Sequence, residues 1–500
     1  MPVKLHHGKI PAVEIEYQKV KNVMNSSTQH LHIGTFFRFF LTKTLAVCLS
    51  GAVLAMVTFM CDAQTNIEMV FHSFTNSPDG ILPVSSLVLG PNNALYGTTL
   101  SGGNTSTKSG TLFTINVDGS GYKVLHNFSL SESGGQVLTS PPYQVFTVTY
   151  GSDGTLYGTT IAGTNGNGSV YRVNPDGSSY SVIHSFGTSD DAPVSLIQGR
   201  DGKLYGTSGG AIFTLATSGS NYTVLHLFTN SPDGDLVFGK PMQAADGTIY
   251  GTTYFGGTNG SGTIYKLNPD GSGYAVLYSF GAAPDGVNPY SGLAQGADGA
   301  LYGTTLRGGI NGEGTVFKIN PDGSGYKILH NFDLADGTGP LGGVIAGLGN
   351  VIYGVTPEQG LYNGGTLFSL SLDGSAYDVL YNFGSSGISD ASQPYGGLVQ
   401  GPASAGTLAL YGTTVYGGTS HVGAIYSVLV NPPLSIAPIS AASNGNQSVV
   451  FWPAWALNYV LQTTTNPVSG TWTTVSNAIP VTGVQITNTS PAAFFRLIRP

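Results

Sequence analysis

Cysteine is almost absent from this chain of 500 residues: Cys48 and Cys61 are the pair, and both lie within its first 61 positions. The rest of the chain therefore has no disulfide, no thiolate nucleophile and no thiolate metal site. A body of this length buries a large core without such staples. Charge is scarce too, at 9% of residues, with 18 basic against 26 acidic side chains. That balance excludes the basic surface that nucleic acid or an anionic bilayer requires. No segment beyond Cys61 sustains a helical period, and the sequence lacks a nucleophile elbow, a His-Glu-x-x-His pattern and a phosphate loop.

The first 43 residues are irregular and basic, with Lys4, Lys9, Lys19, Lys21, Arg38 and Lys43. They lead into an apolar stretch, Leu45 to Met60, which is short for a bilayer span, and then into Cys61-Asp62-Ala63-Gln64, a small-x-Ala pattern suited to cleavage after Ala63. Residues 1–63 read as a secretory signal with an overlong basic region, or with Met24 as the true start. An uncleaved signal anchor is the competing reading, and the bulk of Met60 argues against lipidation of Cys61. Cleavage would remove six basic and three acidic residues and turn the formal charge of −8 into −11. The expected location is secreted or cell envelope, with no stable membrane span in the mature chain.

What is present in abundance is glycine, 73 residues, together with 27 tyrosines and 23 phenylalanines in fixed frames. Leu-Tyr-Gly-Thr or a close variant recurs seven times, with its tyrosine at Tyr96, Tyr157, Tyr205, Tyr250, Tyr302, Tyr353 and Tyr411. Around Tyr302 the unit reads as an apolar run Gly292 to Gln295, a turn Ala297-Asp298-Gly299, a strand Leu301 to Thr305, a Gly-rich loop, a strand Thr315 to Ile319, a turn Asn320 to Gly323 and a strand Tyr326 to Phe332. Four strands per unit make a propeller blade. The fourth strand ends in His/Tyr-x-Phe, and one copy, His72-Ser73-Phe74, stands alone before the first Leu-Tyr-Gly-Thr, whereas the last unit stops after its third strand, Ala424 to Val428. The orphan supplies what the last unit lacks and leaves no open edge. The fold expected is therefore all-β: a seven-bladed β-propeller over 64–430 whose N-terminal strand closes the last blade, followed by a small β-sandwich over 434–500, which holds Trp452, Trp455 and Trp472.

The recurring string Asp-Gly, Leu-Tyr-Gly-Thr-Thr, Gly-Gly, Gly-Thr-x-Phe, Asp-Gly-Ser-Gly-Tyr, Leu-His-x-Phe resembles the GloVer (choice-of-anchor) tandem repeat of exported bacterial proteins, over about residues 67–430. The tail, with Tyr459 to Gln462, Trp472 and Phe494 to Leu497, is similar to a small C-terminal β-domain of such proteins. The resemblance implies a secreted or surface protein and carries no activity to any residue.

The repeated features read as structure. Pro, Asp and Gly in the Asn-Pro-Asp-Gly turns suit a hairpin, and one Asp each is too few for calcium. Tyr278 and Tyr381 replace the histidine of His72, His126, His184, His226 and His330, which blade packing tolerates and a metal ring would not. The glycine after each repeat tyrosine is expected to admit the adjacent blade. No cofactor and no metal are expected. Function is sought instead in the variable loops between second and third strands, with Tyr254, Phe255, Arg307, Tyr362 and Tyr416 as ligand-binding candidates. Pro289-Tyr290 and Pro394-Tyr395 share that face. Aromatic rings among Gly, Asn and Thr suit an extracellular polysaccharide, with another envelope protein as the other partner class. The first reading is thus a non-catalytic binding or scaffold module; the alternative is a polysaccharide lyase or glycoside hydrolase with carboxylates from different blades at the channel mouth.

Overall fold

A computed structural model describes residues 67–430 apart from stretches at 76, 105–108, 134–146, 162–166, 188–189, 348–349, 386–389 and 403–407, and beyond them six strands between 437 and 498. The signal-peptide reading of 1–63 and the three tryptophans lie outside the described residues.

Each repeat folds into one four-stranded antiparallel sheet, and seven such sheets form the propeller. Blade 5 consists of Ala294–Gln295, Leu301–Thr305, Thr315–Ile319 and Lys327–Asn331. The innermost strand is a mere two residues there, flanked by glycine, because strands converge and crowd at the axis. Every position of Leu301–Thr305 is buried, since neighbouring blades cover both faces of the sheet. Buried threonine hydroxyls then need partners. In five blades the second threonine of the motif pairs with a hydroxyl on the third strand: Thr99 with Thr111 at 2.9 Å, Thr160 with Ser169 at 2.8 Å, Thr253 with Thr263 at 2.9 Å, Thr305 with Thr315 at 2.9 Å, Thr356 with Thr366 at 2.8 Å. The first threonine reaches across to the next blade, where Thr252 donates to the Ser291 carbonyl (2.8 Å), Thr304 to Pro340 (3.1 Å) and Thr413 to Ser85 (3.0 Å).

The glycine of the motif has a different use from the one its sequence suggests. Gly97, Gly158, Gly206, Gly251, Gly303, Gly354 and Gly412 stand opposite Phe113, Tyr171, Phe213, Tyr265, Phe317, Phe368 and Tyr426 on the third strand of the same blade. A Cβ at Gly303 would sit 2.5 Å from Phe317 Cζ, and one at Gly158 2.3 Å from the Tyr171 ring. The missing side chain makes room for an aromatic ring within the sheet, and the adjacent blade is not the neighbour that demands it.

The repeat tyrosine fills the wedge between blades. Tyr302 of blade 5 is buried with Ile352 and Phe368 of blade 6, Tyr353 with Leu410 and Tyr426 of blade 7, and Tyr411 with Leu95 and Phe113 of blade 1. In blades 2, 3 and 5 its hydroxyl is satisfied by the Asp-Gly turn before it: Tyr157 donates to Asp153 at 2.6 Å, Tyr205 to Asp201 at 2.8 Å and Tyr302 to Asp298 at 2.7 Å. In the Asn-Pro-Asp-Gly turns the aspartate accepts from a backbone amide two residues on, as Asp270 does from Ser272 at 2.9 Å.

The ring closes as the ends of the repeat array demand. Ile67–Ser73 pairs antiparallel with Ala424–Val430, in a register that sets Ser73 against Ala424 and Glu68 against Val428. Phe74 then donates its amide to the Gly423 carbonyl at 3.0 Å. Beyond the ring, Ala437–Ile439, Gln447–Phe451 and Gly483–Thr487 form one three-stranded antiparallel sheet, and Val460–Thr464, Thr473–Thr474 and Phe494–Ile498 a second. No helix among the described residues is long and apolar enough to cross a membrane.

Deleting residues 64–75 should lower the melting temperature and broaden the size-exclusion profile far more than removing a loop segment of equal length, because it bares the edge of Ala424–Val430; an unchanged melt would overturn the closure. Gly303→Ala, at a position where φ is not positive, should cost about 1–3 kcal/mol in chemical denaturation through overpacking against Phe317.

Candidate functional site

Every outer strand shifts register against the third strand just before His/Tyr-x-Phe, as between Val316 and Phe317 in blade 5. This bulge re-aims the histidine toward the next blade, where it stacks on the tyrosine of the Asp-Gly-Ser-Gly-Tyr turn. His126 lies 3.7 Å from Tyr180 between ring centroids, His226 3.5 Å from Tyr274 and His330 3.7 Å from Tyr377. Tyr278 makes the same stack on Tyr326 at 3.8 Å. A carboxylate a few residues on completes each site: Asp233 lies 2.9 Å from His226, Asp336 2.6 Å from His330, and Asp285 accepts from the Tyr278 hydroxyl at 2.9 Å. These histidines stand on the outer strands and cement neighbouring blades.

The loop face is built differently. Phe255, Arg307, Glu358 and Tyr416 occupy the same position after the second strand in blades 4 to 7, each held by backbone pairing to the connection entering its own blade, at Asp235, Val287, Thr338 and Ser392 respectively. They form a crown whose backbone repeats while its side chains do not. Phe255 and Tyr416 are nearly half exposed, at 42% and 47%. Tyr254, one residue inward, contacts Phe238 at 5.3 Å and Phe255 at 4.5 Å, both edge-to-face. Phe238 in turn stacks on Tyr290 at 5.1 Å. Tyr362 is exposed but sits farther along its loop, next to Leu361, whose amide is held by Asn382 of the outer strand at 3.0 Å. Arg307 lines a separate cavity of about 370 Å³ with Glu313 and Glu358.

The axial channel is lined by the innermost strands of all seven blades. On the loop-face side it forms a cavity of about 150 Å³, ringed by Phe238, Tyr290 and Tyr395 above Ser86, Ser195, Ser291 and Lys240. On the opposite side it widens to about 1080 Å³, and Lys240 lines both parts. Neither lining includes an Asp or Glu. Burial first, and Tyr254 second, push the Tyr290 phenol well above its ordinary value. Enclosure lowers the Lys240 ammonium to about 8, although water in the channel reaches it. Of the five sequence candidates, Tyr254 and Phe255 join the aromatic chain that ends at the channel mouth, Arg307 and Tyr416 share the crown, and Tyr362 stands apart.

The Gloeobacter/Verrucomicrobia repeat matches the sequence twice, over residues 50–211 and 207–426. The chain belongs to that family. No curated protein matches it. Among solved structures this member of the repeat family is similar to the extracellular domain of a hybrid two-component system of B. thetaiotaomicron, at 12% identity and TM-score 0.47, over 86% of this chain and 55% of that one. It is also similar to a GH74 xyloglucanase of Xanthomonas campestris, at 14% identity and TM-score 0.47, over 77% of this chain and 59% of that one. A surface component of the Porphyromonas gingivalis type-IX secretion system, PorZ, matches at 12% identity and TM-score 0.44, over 86% and 59%. The chain thus spans a little over half of each of these three structures, and the likeness speaks to fold alone.

Sequence reasoning missed Lys240 and Phe238 as members of the channel lining. Lys240 had a signal: the aligned repeats carry Ser, Thr or Gly at its position. Phe238 had none, because its place at the axis follows from the curvature of the ring.

The histidine wedges make stability depend on pH. Burial holds His72 and His184 below the ordinary value of 6.5, against opposing pulls from Asp79 and Asp190. With the folded value depressed, the unfolded chain binds more protons, so the stabilisation is complete above about pH 6.5 and is lost as pH falls through that value. The melting temperature should drop between about pH 7.5 and about pH 5.5, and His184→Tyr, which copies Tyr278, should flatten the drop. An identical pH slope in wild type and variant would contradict this origin.

Proposed function

We propose that this protein is an exported, non-catalytic binding propeller that takes an extracellular saccharide on its loop face, across blades 4 to 7. The observation that carries the reading is the run of aromatic rings, Phe255, Tyr254, Phe238 and Tyr290, which leads from an exposed crown to a channel mouth free of carboxylates. Rings in such a row offer flat apolar faces to sugar C–H groups, while the surrounding backbone amides and hydroxyls supply directional bonds. Export is supported by the basic leader and apolar stretch ahead of the repeats and by the low charge of the body. The opposite face is made of Asp-Gly hairpins whose side chains are consumed by their own turns, as at Asp270 and Asp322.

A second reading has one feature in its favour. Arg307, Glu313 and Glu358 line the cavity between blades 5 and 6 without an ion pair among the described residues. An enzyme would use those carboxylates, so a saccharide panel read for both capture and released product separates the two.

Stacking on one exposed ring contributes about 1 kcal/mol. Single alanine changes at Tyr254, Phe255 or Tyr416 should therefore weaken binding several-fold in a glycan-array and calorimetric screen, and the triple change should abolish it. Tyr362→Ala and Arg307→Ala test the outer limits of the same face. Retained affinity in a folded triple variant would rule out this surface.

A further inference from the structure

One position of the repeat breaks its own rule at the centre of the ring. Leu89, Tyr150, Gln198, Gln243, Gln295, Ala346 and Gln400 are equivalent, each paired with the leading residue of its blade's Leu-Tyr-Gly-Thr strand. Three residues before them stand Ser86, Thr147, Ser195, Lys240, Gly292, Gly343 and Gly397. Three blades present a serine or threonine at the waist of the channel and three a glycine, and blade 4 alone presents a cation. Lys240 lines the channel on both sides of that waist.

Its ammonium has no hydrogen bond or ion pair among the described residues, and no carboxylate lines either part of the channel. The other charged group there, Arg200, belongs to the wide end and donates to the Ala245 carbonyl at 2.9 Å. Ser86 lines the same parts of the channel, and its Oγ accepts from the Gly397 amide at 2.8 Å, which leaves its own hydrogen to donate. Lys240 is exposed to the water of the channel, and it is a cation where the other six blades carry serine, threonine or glycine, on a wall that holds no carboxylate.

We propose that the axial channel is a binding site for a single carboxylate, paired with Lys240 and flanked by the Ser86 hydroxyl, and that the saccharide gripped by the aromatic run is an acidic one. A carboxylate fits better than a phosphate because one ammonium faces the waist, and a dianion calls for several cations or a bidentate guanidinium. The proposal rests on the saccharide reading for its ligand and on the channel geometry for its site.

The test is calorimetry on the full chain at pH 7 with galacturonate oligosaccharides, their methyl esters, free galacturonate and inorganic phosphate. The acid oligosaccharide should bind, and esterification should weaken it roughly tenfold or more, the scale of a lost charged hydrogen bond. Lys240→Ser, which installs the residue found at Ser86 and Ser195, should melt like the wild type and bind acid and ester alike. Equal binding of acid and ester by the wild type, or a preference for acid that survives Lys240→Ser, overturns the carboxylate site and leaves the saccharide reading standing. Lys240-dependent binding of free galacturonate with no binding of any oligosaccharide supports the site and removes the saccharide reading. Tighter binding of phosphate than of any carboxylate overturns the assignment of the ligand class.

Discussion

The antiparallel pairing of Ile67–Ser73 with Ala424–Val430 is the constraint on which the rest of the molecule depends. Each apolar cluster of the propeller lies between two blades, so a sheet is buried on both faces only if it has a neighbour on each side. The last wedge, with Phe74, Leu95, Phe113 and Tyr411, exists only when the two ends meet. Contacts across that seam join residues hundreds of positions apart, such as Thr413 with Ser85 and Tyr411 with Val117. Loop-closure entropy grows only as the logarithm of the separation, so the burial of one full wedge can offset it.

Within the ring, the repeat motif works as a set of mutual requirements. The glycine is missing a side chain because the facing aromatic ring occupies its space, and the tyrosine beside it fills the wedge and binds its own Asp-Gly turn. The threonines satisfy each other across strands and satisfy carbonyls across blades. The histidine stacks on the next blade's tyrosine and leans on a carboxylate. Almost every recurring polar group is thereby consumed in packing, and for that reason recurrence is a poor guide to function here.

Function is left to the positions that depart from the pattern. The crown of Phe255, Arg307, Glu358 and Tyr416 keeps its backbone pairing from blade to blade and changes its chemistry each time. The axis keeps its small residues and changes once, at Lys240. Membership of the Gloeobacter/Verrucomicrobia repeat family accounts for the scaffold, and these departures distinguish this chain upon it.

Blade number, strand order and the closing strand were legible in the sequence, because the orphan His72-Ser73-Phe74 and the truncated last unit are complementary in one dimension. The structural role of the histidines was legible too, through the tyrosine substitutions at Tyr278 and Tyr381. The neighbour of the motif glycine was not: which ring faces Gly303 is a matter of strand register, and Phe317 becomes its partner only when the hairpin pairs. Nor was the grouping of the site. Tyr254, Phe238 and Tyr290 come from the second-to-third loop of one blade and the connections into two blades, and they meet because the ring curves. The sequence by itself determined which residues repeat, and therefore the architecture. Tertiary structure alone decided which exceptions share a surface and that Lys240 stands at the axis without a counter-charge, because proximity around a closed ring depends on curvature and not on spacing along the chain.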